Sequence, residues 1–302
     1  DGGLINNHLF EDDFVKAVYD TAIESGIDYM ELGYKASKTQ FARKEHGDWK
    51  FCDEDSMRRV VGDNDTKLKL TAMADAGKTD YKTDILPAEQ SVLDCIRVAT
   101  YAHQIPTAVD MIKDAHDKGY ETCCNIMAIS TVADPEIDKA LEILAETPVE
   151  TIVVVDSYGS LYHEQIRALV KKYVSMANAT GKEVGIHTHN NMQLAFANTI
   201  EAIIQGANRI DATMLGLGRG AGNCPMELLL GFLKNPKFNL RPVFKLLQDH
   251  LMPMCRTKEW GALIPYVVTG LLNQHPRAAM RVRATEEKNQ FLEFYDACTS
   301  EA

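Results

Sequence analysis

Two histidines separated by one residue, His187 and His189, are the side chains of this sequence best placed to do chemistry together. On a β-strand, residues i and i+2 project to the same side, so the two imidazoles are expected to converge while Thr188 faces the other way. Imidazole nitrogens are good ligands for borderline divalent metals. The pattern therefore predicts a metal site; the alternative is two separate histidines that form local hydrogen bonds.

A catalytic metal site also needs a carboxylate and leaves positions open for substrate. Asp1 is the candidate carboxylate, and Gly2 and Gly3 after it suit a tight turn or a close backbone approach to a ligand. A loop at 216–223 has glycine at every second position and ends in Asn223, whose amide oxygen is a candidate fourth ligand. The alternatives are a disordered terminal Asp1 and a turn that Asn223 caps.

The elements that must position these residues follow from apolar runs bounded by turn residues. Such runs predict seven strands, at 27–33, 67–73, 95–100, 120–130, 149–156, 183–189 and 209–215. Each strand is followed by a helix or a loop, which is typical of a parallel sheet, and no G-x-G-x-x-G turn indicates a dinucleotide fold. The number and even spacing of the strands favour a closed α/β fold, the TIM (β/α)8 barrel, over an open doubly wound sheet. The active site of such a barrel lies at the carboxyl ends of the strands. Its first strand is expected upstream of Asp1; closure by a C-terminal segment is the alternative.

The chain has 302 residues, which is enough for one barrel and an appendage. We expect the barrel domain to occupy 1–234 and a helical C-terminal extension to occupy 235–302. The net charge of −11 argues against a nucleic-acid partner, and no apolar run is long enough for a membrane span. Seven cysteines without a C-x-x-C motif predict reduced thiols, as in a cytoplasmic enzyme.

The segments G-I-H-T-H-N-N and G-L-G-x-G-A-G-N, with the opening D-G-G, resemble the DRE-TIM metallolyase superfamily, also called the HMGL-like domain. The resemblance is strongest to its 4-hydroxy-2-oxovalerate aldolase branch. It implies cleavage, or formation, of a C–C bond of a 4-hydroxy-2-oxo acid, giving pyruvate and an aldehyde through a metal-stabilised enolate. The implied cofactor is Mn(II) or Mg(II), and the implied ligands are Asp1, His187, His189 and Asn223. An aldehyde dehydrogenase bound to the extension, or a homodimer, is the implied partner.

The same resemblance leaves the proton-transferring group open. The aldolases carry a histidine three residues after the ligand aspartate, and Leu4 occupies that position here. His8 is the candidate substitute, against a surface histidine as the alternative. Tyr266 matches a catalytic tyrosine of the extension, and Glu31 ends an early strand where it would act as an acid or orient other groups. A buried tyrosine and a salt bridge at the barrel mouth are the corresponding alternatives.

Four residues are candidates for substrate binding. Gly2 allows a close backbone approach. Asp156 and Ser157 end the strand V-E-T-I-V-V-V-D, where they would bind substrate or orient a metal-bound histidine. Arg219 replaces a small residue of the aldolases, and it would hold a second substrate carboxylate or point to solvent.

Two other functions remain open at this stage. One is an acetyl-CoA-dependent Claisen-type synthase, such as a citramalate, isopropylmalate or homocitrate synthase, which shares the metal site. This alternative stays open because Leu4 occupies the position of the aldolase histidine. Those synthases carry further subdomains for which this chain has no evident room. The second alternative is a barrel that binds metal without turnover and acts as a binding module.

Overall fold

Parallel β-strands form the central layer of the molecule, which we describe from a computed structural model covering residues 2–300. The strands are β1 (Tyr29–Tyr34), β2 (Lys69–Asp75), β3 (Cys95–Thr100), β4 (Glu121–Ile126), β5 (Thr151–Asp156), β6 (Glu183–Thr188) and β7 (Arg209–Ile210). They are hydrogen-bonded in chain order, each parallel to the next. This arrangement is the curled sheet of a TIM barrel, as predicted from the sequence.

Helices cover the outside of the sheet. They are α1 (Asp12–Glu24), α2 (Glu54–Val61), α3 (Tyr81–Asp84), α4 (Ile105–Asp117), α5 (Asp134–Ala145), α6 (His163–Thr180), α7 (Ala195–Ile204), α8 (Met226–Leu233), α9 (Leu240–Leu246), α10 (Met252–Met254), α11 (Ile264–Leu271), α12 (Arg277–Arg283) and α13 (Phe291–Ser300). The longer ones are amphipathic, since α4 and α6 bury one apolar stripe against the strands. This stripe and the inward strand residues form the main core.

The sheet is open between β1 and β7. No strand within residues 2–300 lies between these two edges, which is the place that the missing first strand of the barrel would occupy. A cavity of about 880 Å³ extends along this opening from the carboxyl to the amino ends of the strands. Its walls include Gly3, His187 and Asn223 at one end and Lys69 and Arg209 at the other.

Two predicted strands are shorter than expected. β7 ends at Ile210, not at residue 215, because the Thr213 amide donates to the Cys224 carbonyl and Leu215 has φ +55°. β4 ends at Ile126, not at residue 130, because Ala128 is left-handed and a 3₁₀ turn follows at Ile129–Thr131.

Of the C-terminal helices, α9 packs beside the sheet on α1 and α8, whereas α11 to α13 pack near the glycine-rich loop at the carboxyl ends of the strands. α9 buries Val243 and Leu246 against Met214 and Leu230, and a π-helical segment at Leu247–Leu251 continues it. The next helices form a small core with Tyr266 and Phe294 that includes Ala221 of the glycine-rich loop. The domain boundary at residue 234 stays a prediction. Among the helices of residues 2–300, none combines the length and apolar composition needed to cross a membrane.

Candidate active site

The two histidines lie together at the carboxyl end of β6. His187 is the fifth residue of the strand, and His189 follows its last residue. Their ring centroids are 5.0 Å apart and the rings are nearly perpendicular. The spacing of two residues on an extended backbone thus brings both imidazoles to one side of the strand, as the sequence pattern predicted.

The Nδ1 atom of each imidazole has a hydrogen-bond acceptor. Nδ1 of His187 lies 2.9 Å from the Asp211 carboxylate, and Nδ1 of His189 lies 3.0 Å from the Asp156 carbonyl oxygen. Because a carboxylate and a carbonyl can only accept, both rings carry their proton on Nδ1, which leaves the Nε2 lone pair as the ligand. Burial lowers the pKa of both histidines, that of His189 to about 4, so both rings are neutral at physiological pH.

Asn223 ends the glycine-rich loop opposite His189, with which it forms an isolated antiparallel bridge. Its Nδ2 donates to the Leu217 carbonyl at 3.1 Å, which fixes the amide. Its Oδ1 is buried and has no hydrogen-bond partner within residues 2–300. A buried acceptor without a partner is costly unless a ligand completes it. Two imidazole nitrogens and this oxygen form a donor set that fits a divalent cation.

The predicted carboxylate ligand, Asp1, lies outside the described residues. Within residues 2–300, no group of three or more histidine, cysteine, aspartate or glutamate side chains is arranged to hold a metal. Gly2, the next residue, packs closely on Leu217, since a Cβ there would lie 3.3 Å from the Leu217 side chain. The start of the described chain therefore reaches the glycine-rich loop.

A buried charge network supports His187 from inside the barrel. Asp211, which follows β7, also pairs with Arg97 of β3, and Arg97 donates to Glu31 of β1 at 2.9 Å. Although burial alone would raise it, the charge of Arg97 and the bond with His187 hold the pKa of Asp211 well below its usual value. The network fixes the orientation of His187 and keeps Asp211 ionised. Glu31 therefore lies in the network, but it is the third of the six residues of β1 and not at the end of the strand, where we expected it.

His8 is buried, with 2% of its surface exposed, and packs edge-on against the Tyr34 ring at a centroid distance of 5.2 Å. Its Nε2 has no hydrogen-bond partner within the described part of the chain. Burial, with a smaller effect from Lys50, lowers the pKa of His8 to about 3. His8 is thus a neutral imidazole inside the molecule, not a surface histidine.

The other predicted residues lie around the same mouth. The Asp156 carboxylate accepts from the amides of Ser160 and Leu161, at 3.1 and 3.3 Å, so it holds the turn whose carbonyl orients His189. Ser157 accepts from the Ala128 amide at 2.7 Å. The Tyr266 ring packs on Gly220, where a Cβ would lie 2.1 Å from the ring, and burial raises the pKa of its hydroxyl.

Four residues near the site were not predicted from the sequence. Arg97 and Asp211 form the network described above, and Lys50 and Asp75 lie near Tyr34. The Lys50 ammonium lies 4.6 Å from the Tyr34 ring centroid, and burial raises the pKa of Asp75, the last residue of β2. A signal existed for two of them, since Arg97 is the only charge in the apolar strand C-I-R-V-A-T and Asp75 is a strand-end acid.

Comparison with known proteins assigns the family. The model of the HMGL-like family matches residues 1–248, most of the chain. The chain belongs to the HMGL-like family, within the DRE-TIM superfamily. A 4-hydroxy-2-oxovalerate aldolase of Bacillus cereus is 27% identical over 295 residues, covering 93% of this chain and 84% of that protein. An oxaloacetate decarboxylase of Mycobacterium tuberculosis is 30% identical over 237 residues, covering 78% and 67%.

A solved structure resembles the whole chain. The N-terminal domain of a proposed aldolase from Bacteroides vulgatus superimposes with a TM-score of 0.83 and 27% identity, covering 94% of each chain. This HMGL-like chain is therefore a member of a lyase family with divalent-metal chemistry.

Proposed function

We propose that this HMGL-like protein is a metal-dependent aldolase that cleaves a 4-hydroxy-2-oxo acid to pyruvate and an aldehyde. The observation that carries the proposal is the donor set at the end of β6. His187 and His189 are held with Nε2 as the ligand atom, beside the buried, unpartnered Oδ1 of Asn223. The similarity to the Bacillus cereus aldolase supports the substrate class.

In this proposal, His187, His189, Asn223 and Asp1 hold Mn(II) or Mg(II). When bound, the divalent metal supplies Lewis acidity toward the 2-oxo group of the substrate. The chain's own contribution is to fix these donors: Asp211 orients His187, the Asp156 carbonyl orients His189, and Leu217 holds the Asn223 amide. Gly2 gives the substrate close access to the backbone.

The proton of the C4 hydroxyl needs an acceptor within hydrogen-bond reach. His8 is one candidate, because its imidazole is neutral at physiological pH and its buried Nε2 has no hydrogen-bond partner in residues 2–300. Its low pKa makes it a weak base. Tyr266 is the second candidate for handling the proton, and because burial raises the pKa of its hydroxyl, it would act as a proton donor and not as the base. The Tyr266 hydroxyl forms no hydrogen bond with residues 2–300, and its ring is fixed against Gly220. Glu31, Asp156 and Ser157 act by holding the walls of the site.

The test is pyruvate release from a panel of 4-hydroxy-2-oxo acids, with and without Mn(II). We expect release only with metal, and its loss in His187→Ala. The exposed His163, on helix α6, gives a matched control, and His163→Ala should behave as the wild type. Bound metal without pyruvate would overturn the aldolase proposal, and acetyl-CoA-dependent thiol release would then favour the Claisen-type synthase. Metal and 2-oxo acid binding without any turnover would favour a binding module.

Decarboxylation of a 2-oxo diacid is a second candidate, supported by the 30% identity with an oxaloacetate decarboxylase. It also breaks a C–C bond to give pyruvate, but the second product is CO₂ instead of an aldehyde. Adding oxaloacetate to the panel and measuring both products separates the two reactions. Metal-dependent CO₂ release without aldehyde release from any hydroxy acid would replace the aldolase proposal.

A further inference from the structure

Arg219 stands at the centre of the glycine-rich loop, one residue before Gly220, which packs on Tyr266, and four residues before Asn223. The loop is anchored on both sides: Gly220 contacts the Tyr266 ring, and the Asn223 amide nitrogen donates to the Gly216 carbonyl at 3.1 Å. The Arg219 side chain is therefore carried by a fixed backbone at the mouth of the site. It is half-buried, not fully solvated.

The surroundings of Arg219 are aromatic and belong to the mouth of the proposed site. Its neighbour Gly220 packs on the Tyr266 ring of α11, and Asn223 of the same loop bridges His189 at the end of β6. Burial raises the pKa of Tyr266 and of Tyr158, which lies in the turn after β5, and the positive charge of Arg219 acts in the opposite direction on both. The loop therefore carries Arg219 beside the two histidines.

No side chain within residues 2–300 forms an ion pair or a hydrogen bond with the Arg219 guanidinium. The other two arginines of the barrel interior behave differently. Arg97 pairs with Glu31 and Asp211, and Arg209 pairs with Glu121 and Glu183. The chain has 43 acidic and 32 basic residues, so acidic partners are abundant. Arg219 is therefore a half-buried cation without an acidic partner among residues 2–300, and its planar guanidinium is able to bind a carboxylate of a ligand.

We propose that Arg219 binds a second carboxylate of the substrate, so that the natural substrate is a 2-oxo acid with a carboxylate at the end distant from its 2-oxo group. This inference rests on the proposed function for the first half of the substrate. Within the aldolase reaction it assigns the aldehyde product as a carboxylated one. The guanidinium offers two parallel N–H donors, which match a carboxylate and not a methyl group.

Two pairs of compounds test the inference, each differing only in the terminal group. The first pair measures cleavage: 4-hydroxy-2-oxoglutarate against 4-hydroxy-2-oxovalerate, with Mn(II). The second pair measures binding by calorimetry without turnover: 2-oxoglutarate against 2-oxovalerate, with the Mn(II)-loaded protein. We expect the diacid to be preferred roughly tenfold or more in both assays, the effect of one charge-assisted contact.

The variants Arg219→Gln, Arg219→Lys and Arg256→Gln complete the design. The preference for the diacid should disappear in Arg219→Gln, be partly kept in Arg219→Lys, and stay at the wild-type ratio in Arg256→Gln, whose residue is exposed in the extension. Equal cleavage of both hydroxy acids, with a ratio that Arg219→Gln does not change, would overturn the inference and leave the aldolase proposal standing. A diacid preference in binding that depends on Arg219, without any cleavage, would support the inference and reject the aldolase. Absence of any preference in the binding assay would mean that Arg219 is a solvated arginine.

Discussion

The two ends of the barrel contain similar charged and polar residues, but these residues pair with one another in different ways. At the amino end, Tyr29, Lys69, Glu121 and Arg209 are each the first residue of a strand, and they form one network. Glu121 accepts from the Tyr29 hydroxyl at 3.0 Å, from Lys69 at 2.8 Å and from Arg209, whose guanidinium lies 3.9 Å from the Tyr29 ring centroid. We call this set the lower network.

The carboxyl end contains the upper network of Glu31, Arg97, Asp211 and His187. It also pairs its charges, but it ends on an imidazole that has a second nitrogen for a ligand. At the same end lie the buried Oδ1 of Asn223 and the buried Nε2 of His8, together with Arg219, which has no ion-pair partner within residues 2–300. Polar groups that satisfy one another stabilise a fold, whereas buried polar groups left over indicate what a ligand must supply. We therefore place the proposed site at the upper end.

Replacing Asp211 with alanine should break the upper network, and it should have the largest effect on metal affinity and stability of the variants considered. His187 loses its orienting carboxylate, and Mn(II) affinity measured by calorimetry should fall about 10- to 100-fold. Arg97 also loses one of its two partners, so the protein should lose roughly 3 kcal/mol of stability. Asp211→Asn keeps an acceptor for Nδ1 and should lie between the two. Unchanged metal affinity in Asp211→Ala would show that the network has no role at the site.

Replacing Glu121 with glutamine, at the lower end, should reduce stability without changing metal affinity. Although burial alone would raise it, the bond with Lys69 and the charge of Arg209 lower the pKa of Glu121. The variant leaves Arg209 with a weakened partner, so urea denaturation should show a loss of roughly 2 to 3 kcal/mol. Mn(II) affinity should not change. Glu201→Gln, which breaks an exposed pair with Arg167, is the control and should have a much smaller effect on stability. A fall in metal affinity for Glu121→Gln would remove the distinction between the ends.

The buried, neutral imidazole of His8 predicts that the stability of the protein depends on pH. Its pKa is about 3 in the folded protein, against about 6.5 in an unfolded chain, so the unfolded state takes up the proton first as the pH falls. The stability that neutral His8 contributes is fully present above pH 6.5 and is lost as the pH falls toward 3. The loss in the free energy of unfolding reaches about 2 kcal/mol at pH 5. In the metal-free protein, His8→Gln should reduce the stability difference between pH 7 and pH 5 by this amount. An unchanged difference would mean that His8 is accessible to protons when folded.

Replacing Tyr29 with phenylalanine should have the smallest effect on stability, and it tests whether the lower network is separate from the proposed site. The ring keeps its contact with Arg209, and only the hydroxyl that donates to Glu121 is lost. We expect a loss of about 1 kcal/mol in urea denaturation and no change in pyruvate release. A loss of activity instead would indicate that the lower end communicates with the site.

The sequence predicted the features that depend on local periodicity. The seven strands follow from apolar runs, and the convergence of His187 and His189 follows from the alternation of side chains along one strand. The glycine-rich loop was located because glycine spacing is visible without the fold. What these features share is that each is determined by neighbouring residues.

The upper network was not predicted because its members are distant in the chain. Arg97 and Asp211 are 114 residues apart, and only the curvature of the sheet brings them together. The lengths of β4 and β7 were wrong for a related reason. Their ends are determined by hydrogen bonds to later segments, such as that from Thr213 to Cys224, which no local pattern reveals.

The position of the proposed site on three neighbouring strands has a consequence for hydrogen exchange. Within residues 2–300, β6 is hydrogen-bonded to β5 on one side and to β7 on the other. His187 lies on β6, Asp156 ends β5 and Asp211 follows β7, so the groups that hold the two imidazoles are distributed over these three strands. A cation bound by the histidines should therefore slow amide exchange on β5, β6 and β7 together, and more than on β2 and β3.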